Sequence, residues 1–257
     1  MKERLDKILV SKKLVKSREL ARALVIEGKV FVNGGKITKP GTPVNDTSNI
    51  SLLGEPIPYV SRGGIKLEAA IIFFNIQIEG KIIMDVGSST GGFTDCLLKM
   101  GAKKVYCIDV GYGQLAWSLR KDPRVVSMER LNIRYLDKIL RDQEKRYKGQ
   151  EFDDLRNSLV DMATIDVSFI SLIKVIPAIL GFIKGGGDVL TLVKPQFEVG
   201  KGEVGKGGIV REEEKRLKSV ESVRIVLEQV GLRNIEMFQS PLPGRKGNIE
   251  YFLYMKK

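Results

Sequence analysis

The sequence predicts an α/β protein that contains a Rossmann-like, doubly wound sheet behind a small α+β domain. Two observations lead to this class. From about residue 60 onward, apolar strand-like runs alternate with segments of helical spacing, as expected for repeated βα units around a mostly parallel sheet. Before that point, two short helical segments precede a hairpin signal. We therefore predict domains at residues 1–59 and 60–257.

The first domain is predicted to hold two helices and a hairpin. Apolar residues recur at helical spacing over residues 3–28. Ser17 can cap the second helix and Gly28 can end it. Residues 29–37 alternate around Asn33-Gly34, which is the strongest short hairpin signal.

A linker and a longer series of elements follow. Residues 38–46 are rich in turn residues, residues 50–53 suit a short strand, and prolines within residues 55–60 indicate a linker. Strands are predicted at residues 81–86, 104–109, 124–127, 161–166, 188–193, 234–238 and 248–255. Helices are predicted at residues 64–75, 91–100, 112–120, 134–146, 170–183 and 211–230. The last two strands are expected to pair antiparallel.

Charge indicates the class of partner. The chain has 43 Lys and Arg against 31 Asp and Glu, a formal net charge of +12. Residues 1–60 carry eleven basic and six acidic side chains. This balance favours a polyanionic partner such as nucleic acid. A basic protein with no nucleic-acid role remains the alternative.

Missing residue types restrict the chemistry. The chain has no histidine, which excludes Ser-His-Asp and Cys-His catalysis and histidine metal sites. A general base must then be Lys, Asp, Glu, Tyr or a cysteine thiolate. Cys96 and Cys107 lack metal-ligand or redox spacing, so we predict neither a metal nor a disulfide.

Compartment is inferred from the apolar runs. The longest are about ten residues, too short to cross a membrane. The first residues are charged where a signal peptide needs an apolar core. We expect a cytoplasmic protein that does not act at a membrane.

A glycine-rich turn gives the strongest chemical signal. The apolar run that ends in Asp85 is followed by a turn over residues 87–92, and a second strand ends at Asp109. Ser89 stands at the second glycine of the dinucleotide fingerprint. An acid before the turn disfavours a pyrophosphate but suits S-adenosylmethionine, which has no phosphate and a cationic amino-acid end. A turn without ligand and a nicotinamide site remain alternatives.

A second glycine-rich stretch, residues 200–207, imitates half of a phosphate-binding loop. Gly207 replaces the Ser or Thr that would coordinate magnesium, so we reject an NTPase. The stretch is either a loop near the substrate or an ordinary surface loop.

Several segments together carry a family resemblance over nearly the whole chain. They are R-L-D-K-I-L with S-R-E-L-A-R-A-L-V-I-E-G-K-V-F-V-N-G, then Y-V-S-R-G-G-I-K-L, D-V-G-S-S-T-G-G, T-I-D-V-S-F-I-S-L and V-K-P-Q-F-E. The first resembles the RNA-binding domain named after ribosomal protein S-four, and the rest resembles FtsJ-type methyltransferases. Lys13 replaces a glycine common in the first domain. Together the segments resemble the TlyA, or haemolysin-A, family of ribosomal RNA cytidine-2′-O-methyltransferases.

The resemblance implies an enzyme that uses S-adenosylmethionine and acts on ribosomal RNA or ribosomal subunits. It places the family's Lys-Asp-Lys-Glu catalytic set on Lys66, Asp166, Lys194 and Glu250. A ribose hydroxyl is a poor nucleophile unless its proton is removed, and crowding two lysines favours the neutral form of one. We predict that Lys194 is the base and that Lys66 assists the acceptor oxygen.

Further residues are assigned to binding. The expected cofactor-binding residues are Asp85, Gly87, Ser88, Ser89, Thr90, Gly91, Gly92, Phe93, Asp109, Glu129 and Asn132. Asp109 should hold the cofactor ribose. Glu129 and Asn132 would either read the adenine edge or cap a helix, and Phe169 would either stack on a base or lie in the core. The expected RNA-binding residues are Arg18, Arg22, Lys29 and Lys36.

Two other classes of function remain open. The chain would be a non-catalytic RNA-binding protein if its enzyme fold had decayed, although the complete Lys-Asp-Lys-Glu set argues against this. A membrane-lytic protein, as the name haemolysin suggests, is disfavoured by the short apolar runs.

Overall fold

The computed structural model describes residues 2–53, 58–136, 138, 155, 159–200, 202–244 and 246–257. The chain divides into two compact units, residues 1–62 and 63–257. The first half of the linker expected at 55–60 and most of the helix expected at 134–146 lie outside the described residues.

The N-terminal unit is a small α+β domain. Its elements are β1 (Lys2–Arg4), α1 (Leu5–Ser11), α2 (Arg18–Ile26), β2 (Val30–Val32), β3 (Gly35–Ile37), β4 (Pro43–Asn45) and β5 (Ile50–Leu52). Strand β2 pairs antiparallel with both β3 and β5, and β1 pairs antiparallel with β4. The core joins the inner faces of α1 and α2 to these strands through Leu5, Ile8, Leu9, Leu24, Val30 and Val44.

The local signals in this unit act as predicted. Ser17 Oγ accepts a hydrogen bond from Leu20 N at 3.2 Å and so caps α2. Gly28, just after α2, has φ of 68°, and the hairpin residues Asn33 and Gly34 have φ of 50° and 80°. Two positive φ values in succession are what a two-residue hairpin turn requires. Lys13 keeps a left-handed φ of 56° although it is not glycine.

Two strands of the unit were not predicted. Strand β1 contains only charged residues, and β4 lies in the segment expected to be turns. Each has three residues, too few for an alternating pattern to be recognised.

The second unit is built on a seven-stranded sheet in the order β11-β12-β10-β9-β6-β7-β8. Strands β6 to β10 are parallel, whereas β12 runs antiparallel to β10 and β11. The strands are β6 (Ile82–Val86), β7 (Lys104–Ile108), β8 (Val125–Met128), β9 (Val160–Ile165), β10 (Ile183–Val193), β11 (Arg233–Gln239) and β12 (Tyr251–Lys256). This is the methyltransferase-like α/β architecture that the βα pattern indicated, with the expected antiparallel pair at its end.

Helices cover the sheet and connect its strands. They are α3 (Arg62–Phe73), α4 (Gly92–Lys99), α5 (Trp117–Arg120), α6 (Ile176–Ile179), α7 (Pro195–Glu198) and α8 (Glu213–Gln229). The central strands are almost wholly buried, which explains why they are continuous apolar runs.

Two predicted helices were wrong in extent. The helix expected at 112–120 is only α5, because Gly113 has φ of 68° and the chain turns there. The helix expected at 170–183 is divided into a 3₁₀ turn (Leu172–Lys174), α6 and a second 3₁₀ turn (Leu180–Phe182). Pro177 lacks the N–H that would continue a helix from the first turn into α6.

Candidate active site

A cavity of about 1100 Å³ opens where the parallel strands end. Its lining comes from the ends of the parallel strands and the segments that follow β6, β7, β8, β9 and β10. In open α/β sheets, ligands bind at this carboxyl edge. Polar groups in the lining include Ser89, Asp109, Asn132, Asp166 and Ser168.

The turn between β6 and α4 forms one wall, and two of its glycines are sterically required. Gly87 has φ of 83°, and a Cβ there would lie 2.5 Å from the carbonyl oxygen of Asp166. Gly91 has φ of 92°, and a Cβ there would meet the Leu119 side chain at 2.3 Å. The turn can approach its neighbours, and a ligand, only because these side chains are absent.

Asp85, on β6 just before this turn, connects the elements around it by hydrogen bonds. Its carboxylate is fully buried and accepts hydrogen bonds from Thr94 Oγ1 at 2.6 Å and Thr164 Oγ1 at 3.1 Å. Burial raises the pKa of Asp85 to about 7. The carboxylate does not belong to the cavity lining, and its direct contact with the cofactor stays a prediction. It joins β6 to α4 and β9.

Asp109, at the end of β7, is held in a fixed orientation. Oδ2 accepts a hydrogen bond from Ser89 N at 2.8 Å, and Oδ1 accepts one from Gly111 N at 2.6 Å. The side chain lines the cavity. A carboxylate oriented in this way retains lone pairs that can accept the hydroxyls of a ribose.

The remaining residues expected to bind cofactor take several positions. Gly87 and Ser89 line the cavity. Ser88, Gly91, Gly92 and Phe93 are buried in the turn and the start of α4, and Thr90 is exposed.

Glu129 and Asn132 have different surroundings in the structure. Glu129 Oε1 accepts a hydrogen bond from Gly113 N at 3.0 Å, and the carboxylate pairs with Arg120. These contacts orient the Glu129 carboxylate, and its contact with an adenine edge stays a prediction. Asn132 lines the cavity and also caps the 3₁₀ turn Ile133–Tyr135 through a hydrogen bond from Arg134 N at 3.2 Å.

Strand register brings the predicted catalytic residues to the same edge. Val193 pairs with Tyr251 across β10 and β12, so Lys194 and Glu250 each stand one residue beyond that pair. Thr191 pairs with Ile165 of β9, and Asp166 follows Ile165. Residues distant in sequence therefore meet at the ends of three adjacent strands.

Lys66 and Glu250 form a buried ion pair. Lys66 Nζ, on α3, donates to Glu250 Oε2 at 2.7 Å. A Cβ on Gly244 would lie 2.2 Å from Glu250 Oε1, so this glycine leaves room for the carboxylate.

Lys194 makes two contacts beside the cavity. Its Nζ lies 2.6 Å from Asp166 Oδ1, an ion pair whose angles do not suit a hydrogen bond, and it donates a hydrogen bond to Ser168 Oγ at 2.9 Å. Both partners line the cavity. Ser168 was not singled out in the sequence, although it lies two residues beyond Asp166 in a segment that was.

Phe169 is an exposed aromatic at the cavity. Its side chain is 91% exposed, its φ is 64°, and its ring centroid lies 5.1 Å from that of Phe197. Both rings line the cavity. The core position considered for Phe169 is therefore wrong. A left-handed φ at a bulky residue is an outlier that often marks a functional position.

Other candidate chemistry is limited. Burial raises the pKa of the Cys107 thiol, which disfavours a thiolate base. Among the described residues, no group of three His, Cys, Asp or Glu side chains is arranged to hold a metal ion.

The basic residues of the N-terminal unit are largely accessible. Arg18 and Arg22 are exposed on α2. Arg18 Nε donates to Asp6 Oδ2 at 3.1 Å. Asp6 is itself buried, and hydrogen bonds from Arg4 lower its pKa to about 2. One buried carboxylate thus orients two half-exposed guanidinium groups.

The two predicted lysines of this unit lie near the β2–β3 hairpin. Lys29 pairs with Glu27 at 3.4 Å. The Lys36 side chain lies over Gly28, where a Cβ would meet its Cε at 2.1 Å.

The sheet order, the glycine turn and the acid after β7 define a methyltransferase of the α/β class. The FtsJ-like methyltransferase family matches residues 59–257, and the S4 domain family matches residues 3–50. The 16S/23S rRNA (cytidine-2′-O)-methyltransferase TlyA of Mycobacterium tuberculosis is 43% identical over 254 residues, covering 98% of this chain and 89% of the relative. The chain therefore belongs to the TlyA branch of the FtsJ-like methyltransferases, whose methyl donor is S-adenosylmethionine.

Two further relatives carry a different name. Hemolysin A of Brachyspira hyodysenteriae is 42% identical over 251 residues, covering 98% of both chains. A solved structure from Streptococcus thermophilus, described as a candidate hemolysin, is 42% identical with a TM-score of 0.73, covering 100% of this chain and 88% of the other. Within the described part of this chain, none of the helices has the length and apolar character needed to cross a membrane.

Proposed function

We propose that this enzyme transfers the methyl group of S-adenosylmethionine to a ribose 2′-hydroxyl of ribosomal RNA, at cytidine. The observation that carries the proposal is the meeting of two lysine–carboxylate pairs, Lys66–Glu250 and Lys194–Asp166, at the edge that also presents Asp109. In a chain without histidine, such a lysine is one of the residue types that can remove the hydroxyl proton.

The cavity suits the proposed donor. Asp109 is fixed by two backbone N–H groups and can accept the ribose hydroxyls. Gly87 lines the cavity without a side chain, so the backbone of the turn is open to a ligand there. S-adenosylmethionine supplies an electrophilic methyl group on a sulfonium.

Lys194 is placed to act as the general base. Asp166 and Ser168 line the cavity, and their contacts hold Lys194 Nζ beside it. In its uncharged form, Nζ takes the proton of the 2′-hydroxyl while the oxygen bonds to the methyl carbon and the carbon–sulfur electron pair returns to sulfur. Lys66, fixed by Glu250, assists the acceptor oxygen. In-line displacement requires this alignment before any bond changes.

Phe169 is suited to hold the base of the target nucleotide. An exposed ring at the cavity can stack on a nucleobase without regard to its identity. The neighbouring Phe197 ring extends the apolar surface. Stacking would stabilise a nucleotide that has left its helix.

The N-terminal unit is proposed to recruit the RNA. It matches the S4 domain and exposes Arg18 and Arg22 from one helix. The TlyA relative of Mycobacterium tuberculosis is named a 16S/23S rRNA (cytidine-2′-O)-methyltransferase, and we propose the same substrate class here. Ribosomal RNA as substrate implies a cytoplasmic site of action.

Nucleoside analysis by mass spectrometry tests the proposal. Ribosomal RNA from cells lacking this protein should gain 2′-O-methylcytidine when treated with the purified enzyme and S-adenosylmethionine. Methylation on a base, or none on purified subunits or free RNA, would contradict it. Tight RNA binding without turnover would favour the non-catalytic reading. Leakage of lipid vesicles at the same protein concentration would favour the membrane-lytic one.

A further inference from the structure

We propose that Glu198 is a positioning residue that fastens the loop carrying Asp166 to the helical turn carrying Lys194. The inference rests on the proposed function, because it concerns the alignment of that lysine. Glu198 lies at the end of α7, and Lys194 directly precedes the first residue of this one-turn helix.

The Glu198 carboxylate spans the two segments. Its Oε2 accepts a hydrogen bond from Ser171 Oγ at 2.6 Å, and its Oε1 accepts one from Leu172 N at 2.9 Å. Ser171 in turn caps the 3₁₀ turn Leu172–Lys174. The half-buried Glu198 side chain therefore accepts hydrogen bonds from a backbone N–H and from the capping residue, both at the far end of the loop that begins at Asp166.

This contact closes a set of three cross-links between the same two segments. Lys194 contacts Asp166 and Ser168 near the sheet. The Phe197 ring lies against that of Phe169 in the middle. Glu198 binds the last part of the loop. Without Glu198, the polar contacts of Lys194 at the start of the loop and the Phe169–Phe197 ring contact would remain, and the Lys194 contacts must adjust during proton transfer.

The left-handed backbone at Phe169 makes the outer contact more important. Residues held in sparsely populated conformations relax unless surrounding contacts fix them. Phe169 lies between the inner and outer cross-links, with φ of 64°. Fastening the loop on both sides holds this conformation, and with it the direction of the exposed ring.

Glu198 is inferred to act as a hydrogen-bond acceptor and not through its charge. Burial raises the pKa of Glu198, and its two described partners are a hydroxyl and a backbone N–H. A glutamine can keep both contacts, because its Oε1 accepts from Leu172 N while its Nε2 donates to Ser171 Oγ, which can also accept. An alanine can keep neither.

Turnover by Glu198→Ala and Glu198→Gln therefore tests the inference. We expect the alanine variant to lose about 10- to 100-fold in kcat, the size of effect that a misplacement of about 1 Å produces. The Kd for S-adenosylmethionine should change little, because Asp109 and the glycine turn are untouched. The glutamine variant should recover most of the lost kcat.

Asp161→Ala is the matched control. Asp161 also accepts a backbone N–H, from Ile82 at 2.8 Å, but it lies near the start of β9, at the opposite edge of the sheet. The Asp161→Ala variant should have a lower Tm than wild type but the same kcat at a temperature where both proteins are folded. If Glu198→Ala lowers only Tm, or if the glutamine variant is as defective as alanine, the inference is wrong.

A second measurement is independent of catalysis. Hydrogen exchange at the Leu172 amide should be faster in Glu198→Ala than in wild type and protected in Glu198→Gln. Should the alanine variant not fold, Ser171→Ala removes one of the two contacts and should give a smaller loss of kcat. If the three proteins show this exchange pattern but the wild type fails to methylate RNA, the proposed function is wrong and the cross-link by Glu198 stands. Equal exchange in all variants would refute the cross-link itself.

Discussion

Lys66 Nζ lies 2.7 Å from Glu250 Oε2, although 184 residues separate the two in the chain. Both side chains are buried. Removing one partner of a buried pair leaves an uncompensated charge, whereas replacing both with apolar side chains is often tolerated. The pair therefore permits stability and catalysis to be separated by experiment.

Glu250→Ala should lower the free energy of unfolding by about 3–5 kcal/mol, because it leaves the Lys66 ammonium buried and unpaired. The double variant Lys66→Met, Glu250→Leu should recover most of this loss. Neither should methylate RNA. Denaturant unfolding and a methylation assay measure the two effects. A single variant within about 1 kcal/mol of wild type would contradict the buried-pair argument.

Lys194→Ala should reduce methyl transfer by about 100-fold or more, the usual contribution of a general base, while cofactor and RNA binding stay nearly unchanged. Lys194→Arg should be equally inactive, because guanidinium is not deprotonated in proteins. Single-turnover kinetics with saturating cofactor measure the step. Appreciable turnover by the arginine variant would move the role of base to Lys66.

Asp109→Ala should weaken S-adenosylmethionine binding by about 10- to 100-fold, because hydrogen bonds to a charged acceptor are lost. Gly91→Val should weaken it as well, since the new side chain would collide with Leu119 at a residue whose φ is 92°. Titration calorimetry checks both. If wild-type protein does not bind S-adenosylmethionine even with RNA present, the assigned cofactor site is wrong.

The buried strands of the sheet are predictable because their burial requires a recognisable pattern of apolar residues in the sequence. Strand β6 was expected at 81–86 and lies at Ile82–Val86, and β9 was expected at 161–166 and lies at Val160–Ile165. Both are buried on two faces, so their apolar runs are continuous. The run at 170–183 is equally apolar, and there the helix was overestimated because Pro177 and tertiary contacts divide it.

The candidate site was predictable in part. Glycine and acid positions identify the turn and Asp109, because few backbones need those residues in that order. The pairing of Lys66 with Glu250 has no local signal, since it depends on how α3 packs beside β12. The family resemblance assigns both residues to one catalytic set, and only the structure pairs them. Likewise, Glu198 and Ser171 have ordinary residue types, and only the folded loops bring them together.

Asp85 predicts a pH-dependent stability. Burial raises its pKa to about 7 in the folded protein, above the value near 3.9 of an unfolded chain. The folded state therefore binds more protons between these values. Its contribution to stability is present below about pH 4 and is lost as pH rises through about 7. In Asp85→Asn, the decline of Tm over this range should be smaller. An identical decline in both proteins would contradict the assignment.

Arg18 and Arg22 predict the salt dependence of RNA binding. The two side chains stand four residues apart on α2, on one helical face, and Asp6 orients the first. Each phosphate contact releases counterions, so each arginine lost should make the slope of log affinity against log salt shallower by about 1. Arg18→Gln with Arg22→Gln should therefore weaken ribosomal RNA binding most at low salt. Arg224→Gln is the control: Arg224 lies on the accessible face of α8, paired with Glu221 and Glu228, and its loss should leave the slope unchanged. If the double variant keeps the wild-type slope, these arginines do not contact phosphate, and the recruiting surface of the N-terminal unit lies elsewhere.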